Sequence, residues 1–332
     1  MDWMAAAALI EIWRGDLPES LHSGHAVVYG PQGVERVWGD AGAVVFPRSS
    51  CKMVQALPLL ESGAAKAAGL GLRELALSCA SHSGAALHVG AVSAWLTGLG
   101  LGEADLRCGT HLPFDKAEAT RLSGSGESPC QLHNNCSGKH AGFLTLNRHL
   151  KGGPDYVEID HPVQLAARAA FEEVTGETAA GWGIDGCSAP NFACTLEGLA
   201  RAMHFFAAAR PEGGLRAGAA AQLVQAMTTF PELVAGENRA CTKLMRAMGG
   251  KVAVKTGAEG VFVAILPEQG RGVALKITDG ATRASEAAIT ALLVHLGALA
   301  PDHPVVAELV PPVSRNWRGL ATGGMRLASG FC

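Results

Sequence analysis

The pattern that most limits the possible folds is the separation of strand-like segments, which lie at both ends of the chain, from helical segments in its middle. The strand-like segments are Leu9–Trp13, Ala26–Tyr29, Val34–Trp38, Lys251–Lys255, Gly260–Leu266 and Gly272–Ile277. We expect strands from the two ends to meet in one mainly antiparallel sheet. The predicted fold class is therefore α+β, in the form of an αβ sandwich.

Helical periodicity fills the middle of the chain and returns once near its end. The helical segments are His88–Leu99, His140–Leu150, Gln164–Val174, Leu196–Ala209, Leu215–Met227, Asn238–Met248 and Ala284–Leu299. We predict one unit over residues 1–332, with sheet-forming parts at about 1–48 and 250–332 and a mostly helical part at about 49–249. The stretch Gly109–Asn135 has little periodicity and exceeds the usual length of a connection, so we expect it to have a function.

Composition and charge exclude several classes of partner. Lys and Arg total 27 against 30 Asp and Glu, and no basic run stands out, so we expect no nucleic-acid partner. The start of the chain, with Asp2 and the interrupted apolar run Trp3–Ile10, does not resemble a secretory signal. The apolar stretch Ala287–Ala300 is too short to span a membrane. We therefore expect a cytoplasmic protein without a membrane partner, and its nine cysteines to be free thiols.

Ser49 and Lys52 form the first candidate catalytic pair. Residues three apart share a helix face, so the lysine amine can approach the serine hydroxyl. A serine needs a base to remove its proton, and a lysine serves as that base when burial or nearby positive charge keeps it neutral. The alternative interpretation is a helix N-cap next to a solvated lysine.

A second motif, Lys255-Thr256-Gly257, lies at the end of a predicted strand. Ser-x-x-Lys followed much later by Lys-Thr-Gly is similar to the motifs of serine β-lactamases and penicillin-binding proteins, which indicates serine acyl transfer. Those enzymes have a third polar motif between the other two. Ser81-His82-Ser83-Gly84 is the candidate here, and a polar turn is the alternative.

The segment His133–His140 places many reactive groups in eight residues. Cys136 and Lys139 are three apart and can face one point, which Cys187 could join from the short loop that begins at Asp185. Two thiolates and a neutral amine could hold zinc, although lysine is an uncommon ligand. The alternative is that both cysteines are packed free thiols.

Taken together, these motifs resemble the asparaginase II family, typified by the inducible, thermolabile asparaginases of rhizobia. The matching segments are Pro47–Lys52, Cys79–Gly84, Asn134–His140, Ile184–Cys187, Pro231–Gly236 and Lys255–Gly260. The resemblance implies a fold like that of serine β-lactamases and glutaminases, a homodimer, and hydrolysis of L-asparagine to aspartate and ammonia.

The resemblance also implies roles for individual residues. Ser49 is the expected nucleophile with Lys52 as its partner, and Ser81 with Lys255 forms a second Ser–Lys pair. The expected substrate-binding residues are Arg48, His82, Asp185 and Gly257, and the expected zinc ligands are Cys136, Lys139 and Cys187. Cys51, Met53, Val54 and Ala85 depart from the family pattern, and these differences bear on substrate affinity.

The predicted reaction has two steps: Ser49 attacks the side-chain carbonyl of asparagine with loss of ammonia, and water then releases aspartate. Because a lysine must be neutral to accept a proton, activity should rise toward alkaline pH. Backbone amides near Ser49 and after Gly257 are the candidate oxyanion hole. The alternatives are a β-lactamase-like or glutaminase-like serine amidohydrolase and a non-catalytic protein that binds zinc or an amino acid.

Overall fold

The computed structural model describes residues 5–332. Met1 and Asp2 lie outside the described residues, and the argument against a secretory signal depends partly on them. The chain divides into two compact units. The first consists of the described residues up to Ser50 together with Cys194–Ala208 and Lys243–Cys332, and the second of Cys51–Ala193 and Ala209–Thr242.

The first unit is built on an antiparallel sheet to which both ends of the chain contribute. In spatial order its strands are Ser314–Arg315, Ala321–Leu327, Ala7–Arg14, Leu17–Gly30, Arg271–Ile277, Val261–Leu266 and Ala253–Thr256, and Gly33–Trp38 pairs with Leu17–Gly30. Ala7–Arg14 pairs with the last strand, and Leu17–Gly30 pairs with Arg271–Ile277, both antiparallel. The prediction that strands from the two ends meet in one sheet is confirmed.

Helices cover the central strands of this sheet. Every residue of Val261–Leu266 and nearly every residue of Arg271–Ile277 is buried, as expected for strands covered on both faces. The helices Leu196–Ala208 and Thr282–His295 both pack on these strands, and the unit also contains the short helix Pro304–Leu309. A Cβ at Gly272 would lie 2.1 Å from the backbone nitrogen of His204, so the sheet and the first of these helices touch through their backbones.

The second unit is mainly helical. Its helices are Lys52–Gln55, Leu57–Glu61, Ala64–Ala67, Leu72–Ser78, Ala86–Gly98, Lys116–Ser125, Ser137–Leu150, Pro162–Thr175, Leu215–Thr229 and Pro231–Val234, and a further helix, Ala240–Ala247, continues into the first unit. Ser137–Leu150 is the central helix, because its residues from Ser137 to Asn147 are all buried. Gly138 lets it approach Leu72–Ser78, since a Cβ there would lie 2.5 Å from the Leu77 carbonyl oxygen. The α+β class predicted from the sequence is confirmed.

Two elements in the middle of the chain, a helix and a short hairpin, were not predicted from the sequence. The stretch 109–135 contains the helix Lys116–Ser125, which begins where Asp115 accepts a hydrogen bond from the Glu118 amide at 2.9 Å. A short hairpin, in which Gly181–Ile184 pairs with Pro190–Ala193, also interrupts the region predicted to be helical. Capping and turn residues define these elements rather than a long apolar period, so periodicity alone missed them.

Among residues 5–332, none of the helices combines the length and apolar character that a membrane span requires.

Candidate active site

The turn Arg48–Cys51 presents Ser49 at the end of the N-terminal segment of the first unit. Arg48 has a φ of 54°, a left-handed conformation that is costly for a non-glycine residue and often marks a functional turn. Ser50 holds the turn closed, because its amide and its hydroxyl both donate to the Pro47 carbonyl oxygen, at 3.2 and 2.7 Å. Ser49 is half-buried, so it keeps partial access to solvent. The turn continues directly into the helix Lys52–Gln55.

The Lys255-Thr256-Gly257 strand end lies against this turn within the same unit. A Cβ at Gly257 would be 2.5 Å from the Pro47 carbonyl oxygen and 3.2 Å from the Ser50 nitrogen, so only glycine fits there. The Gly257 amide donates to the Val261 carbonyl at 2.8 Å, which leaves it engaged within the hairpin. Lys255 is fully buried, and its Nζ donates to the Thr256 carbonyl at 2.9 Å. Two of the predicted motifs are therefore neighbours in space.

In the second unit, the Nζ of Lys52 lies in a cluster of polar groups that we call the Lys52 cluster: Lys52, Ala80, Ser81 and Cys136. Nζ is 2.9 Å from the Ser81 hydroxyl and 3.0 Å from the Cys136 sulfur, and it also donates to the Ala80 carbonyl. Lys52 is 1% exposed and Ser81 is 6% exposed. The sequence analysis paired Ser81 with Lys255, whereas the structure shows Ser81 bonded to Lys52; the pairing with Lys255 stays a prediction.

Lys139 and Cys187, two of the predicted zinc ligands, form a buried pair in the same unit. Lys139 Nζ is 3.0 Å from Cys187 Sγ, and both residues are buried. A hydrogen bond from the Cys136 thiol holds the pKa of Cys187 well below its usual range, and the same bond raises the pKa of Cys136. Burial opposes the charge on Lys139, but the neighbouring Cys187 raises its pKa on balance. The pair is therefore an ammonium next to a thiolate.

The fit of these side chains to zinc can be judged from their donor atoms. Two sulfurs and one amine converge, and the Nε2 of the adjacent buried His140 has no hydrogen-bond partner in the protein. Within residues 5–332, however, no group of three or more His, Cys, Asp or Glu side chains is arranged to hold a metal ion. The set fits zinc only with Lys139 as a ligand, and Lys139 must first lose the proton that faces Cys187.

His82, predicted to bind substrate, is completely buried with both ring nitrogens engaged. Its Nδ1 accepts from the Gly84 amide at 3.2 Å, so Nε2 carries the hydrogen and donates to the Ser137 hydroxyl at 3.0 Å. The ring stacks on that of His88, with centroids 4.7 Å apart. These contacts make His82 a support for the loop that carries Ser81.

Asp185, also predicted to bind substrate, lies in the turn of the short hairpin and is half-buried. One carboxylate oxygen accepts from the Gly186 amide at 2.7 Å, and the other accepts from the Asn191 side chain at 3.4 Å. Ser188 follows with a φ of 69°. This strained turn positions Cys187 between Asp185 and the strand that returns.

The structure also identifies a contact that the sequence analysis missed. Asn135 Oδ1 lies 3.1 Å from the Cys136 sulfur, and Asn134 Oδ1 accepts a hydrogen bond from the Cys136 amide at 2.8 Å. The two asparagines therefore fix the position of the sulfur next to Lys52. The Asn-Asn pair that precedes Cys136 was the available signal, since asparagine side chains commonly bond to nearby backbone groups.

Comparison with known proteins points to one family. The model of the L-asparaginase II family matches residues 10–327. No curated protein matches the sequence significantly.

Among solved structures, the chain is similar to Mglu in its native form, at 16% identity and a TM-score of 0.49, covering 88% of this chain and 69% of Mglu. It is also similar to a β-lactamase from Mycobacterium bovis, at 13% identity and a TM-score of 0.45, covering 83% of this chain and 95% of that one. These are distant similarities, and the family assignment depends on the sequence match alone. The chain is therefore an amidohydrolase that belongs to the L-asparaginase II family.

Proposed function

We propose that this protein is an L-asparaginase, which hydrolyses L-asparagine to L-aspartate and ammonia through an acyl-enzyme on Ser49. The observation that carries the proposal is the 2.9 Å contact between the buried amine of Lys52 and the Ser81 hydroxyl. A buried Ser–Lys pair is an arrangement suited to moving protons, because a desolvated amine can act as a base. Ser49 is the more accessible of the two serines, which supports its assignment as the nucleophile.

In the first step, the Ser49 hydroxyl attacks the side-chain carbonyl carbon of asparagine and loses its proton to the neutral amine of Lys52. Lys52 follows Ser49 by three residues along consecutive helical turns. A neutral amine has two N–H groups and one lone pair. The Ala80 carbonyl can only accept, and the Cys136 thiol donates to Cys187, so the lone pair faces the Ser81 hydroxyl. Ser81 can therefore pass a proton to and from Lys52.

In the second half of the reaction, the C–N bond breaks and ammonia leaves with the proton that the serine gave up. Water then attacks the acyl-enzyme and gives a proton to the same amine. The amine returns that proton to the Ser49 oxygen as the ester bond breaks, and aspartate is released. We expect activity to rise with pH, because the amine works only when it is neutral.

Zinc is the cofactor that we propose for Cys136, Lys139 and Cys187. When bound, it would supply a positive charge near polar groups of the substrate. Metal analysis of the purified protein, together with activity before and after treatment with a chelator, tests this role.

A homodimer and a cytoplasmic location stay predictions from the sequence.

The direct test is release of ammonia from asparagine by purified wild type, Ser49→Ala and Ser81→Ala. Loss of the nucleophile should reduce kcat by a factor of about 10⁴ or more. Loss of Ser81 should reduce it by about 10². Ser78→Ala is the matched control, because this buried serine donates to the Leu75 carbonyl of its own helix and otherwise contacts the adjacent Cys79 sulfur. Near-normal activity of Ser49→Ala would show that the nucleophile is a different residue.

The alternatives are distinguished with the same protein. Faster ammonia release from glutamine than from asparagine would indicate a glutaminase-like enzyme. A covalent adduct with a labelled penicillin would indicate a β-lactamase-like enzyme. Tight asparagine binding by calorimetry, without ammonia release, would indicate a binding protein.

A further inference from the structure

Cys130, His133 and Glu118 form a Cys–His–Glu arrangement that the proposed asparaginase reaction does not use. The Cys130 sulfur lies 3.4 Å from His133 Nδ1, and His133 Nε2 lies 3.3 Å from Glu118 Oε1. His133 and Glu118 are buried, at 5% and 6% exposed, whereas Cys130 is partly exposed. Cys130 is thus in the position of a nucleophile, His133 in that of its base, and Glu118 in that of the group that orients the base.

The hydrogen bonds fix the state of the imidazole. Nδ1 accepts from the Cys130 amide at 3.1 Å and the Cys130 sulfur lies 3.4 Å from the same atom, so the amide and the thiol share one lone pair. Nε2 must then carry the hydrogen, which it donates to the Glu118 carboxylate. In this tautomer the ring can accept the proton of the Cys130 thiol.

The carboxylate behind the ring is held as an anion. Arg121 donates to both oxygens of Glu118, at 2.8 to 3.1 Å, and a further hydrogen bond reaches Glu127. The hydrogen bonds from Arg121, followed by that from His133, lower the pKa of Glu118. The carboxylate therefore orients the ring, with Nε2 toward Glu118 and Nδ1 toward Cys130.

We propose that Cys130 is a modification site that undergoes thiol–disulfide exchange with small-molecule disulfides. His133 Nδ1 takes the proton from the Cys130 sulfur, and the thiolate attacks one sulfur of the disulfide. A new S–S bond to Cys130 forms as the S–S bond of the reagent breaks. The leaving thiolate takes the proton back from His133, so no other oxidant or reductant takes part.

The other cysteines provide an internal comparison. Seven of the nine are buried, and Cys332 is the only one that is exposed. Burial of its sulfur raises the pKa of Cys332 to about 12, although the residue as a whole is exposed. If exposure alone decided the rate of thiol–disulfide exchange, Cys332 would react faster. If the neighbouring imidazole of His133 decides it, Cys130 reacts faster.

The test follows the reaction of the full-length protein with dithiodipyridine, a small uncharged disulfide whose thiopyridone product is coloured. We expect one fast thiol per chain, and peptide mass analysis should place it at Cys130. Its rate should exceed that of Cys332 by roughly tenfold or more. Glutathione disulfide, as a second reagent, should form a mixed disulfide at the same residue.

Variants separate activation from simple exposure. Cys130→Ser should remove the fast phase, and Cys332→Ser should leave it unchanged. Glu118→Gln should slow it several-fold, because the imidazolium loses its anionic partner. His133→Gln should slow it at least as much, because the proton acceptor is lost, and His149→Gln, at an exposed histidine, is its control.

The ratio of the Cys130 rate to the Cys332 rate within one sample is the decisive measurement, because global loosening would raise both rates. A fast phase that survives in Cys130→Ser, or a ratio near one in the wild type, would overturn the proposal.

Discussion

Two buried lysines of the helical unit, Lys52 and Lys139, differ in the partners that surround them. Both are almost fully buried, and each Nζ lies 3.0 Å from a cysteine sulfur. The sulfur next to Lys139 belongs to Cys187, whose pKa is lowered by the hydrogen bond from Cys136. The sulfur next to Lys52 belongs to Cys136, whose pKa is raised by that same bond. One lysine therefore faces an anion and the other faces neutral groups.

The comparison shows that burial alone does not decide what a lysine can do. An anion at 3 Å stabilises the charged ammonium, so Lys139 is suited to structure or to binding a metal that displaces its proton. Lys52 instead contacts a carbonyl, a hydroxyl and a thiol, so its amine is positioned to exchange a proton with Ser81. Cys136 causes the difference between the two lysines. Its S–H donates to Cys187, next to Lys139, while its sulfur atom lies next to Lys52.

Lys52→Met gives the largest expected effect and is the most direct way to break the comparison. Removing the amine should lower kcat for asparagine by a factor of about 10³, or about 4 kcal/mol in the barrier, while the protein stays folded. Ammonia release and circular dichroism measure the two quantities. Lys66→Met, on the exposed side of a short helix in the same unit, is the matched control. Near-normal turnover by Lys52→Met would show that the Lys52 amine takes no part in catalysis.

Cys187→Ala should give the next largest effect, this time on stability. Without the thiolate, Lys139 is left buried and unpaired, and the free energy of unfolding should fall by about 3 kcal/mol. In a double-mutant cycle, Lys139→Met should cost much less in the Cys187→Ala background than in the wild type. Urea unfolding with a chelator present measures the four proteins without a contribution from metal. Additive losses would show that the two side chains do not form a charged pair.

The smallest predicted effect concerns His82, which supports the loop that carries Ser81 next to Lys52. Burial, together with the nearby His88, holds the pKa of His82 well below its usual range. Folding therefore favours the neutral ring, and its contribution is fully present above the pKa of the unfolded chain, near 6.5, and is lost as pH falls below it. Between about pH 7.5 and 5.5 this loss should amount to about 1.4 kcal/mol.

Urea unfolding at the two pH values measures this loss. His82→Gln, which cannot take up the proton, should show a shallower fall in stability than the wild type. His149→Gln should not differ from the wild type, because that histidine is exposed. Equal slopes for the wild type and His82→Gln would contradict the prediction.

Much of the fold could be read from local patterns. The predicted strand Gly260–Leu266 corresponds to Val261–Leu266, and the predicted helix Gln164–Val174 corresponds to Pro162–Thr175. The helix Lys116–Ser125 was missed, because it has only a weak apolar stripe and only two of its residues are buried. Short, weakly amphipathic elements leave little trace in periodicity, whereas long buried ones leave a strong one.

The sequence motifs named the candidate site residues but did not indicate the contacts between them. The motifs selected Lys52, Ser81, Cys136, Lys139 and Cys187, and all five are buried in the helical unit. They did not indicate that Lys52 bonds to Ser81, or that His82 is enclosed with both nitrogens engaged. Spacing along the chain limits which residues share a helix turn, but it does not limit which ones meet after the helices pack.

The sequence by itself determined the family and the α+β class and supplied the candidate site residues, because motifs and apolar periods are local properties of the chain. Only the tertiary structure decided which sulfur each lysine faces, since Lys52 and Cys136 are 84 positions apart and Lys139 and Cys187 are 48 apart. Packing brings these groups to hydrogen-bond distance in a dry interior, where the charge of each depends on its nearest neighbour.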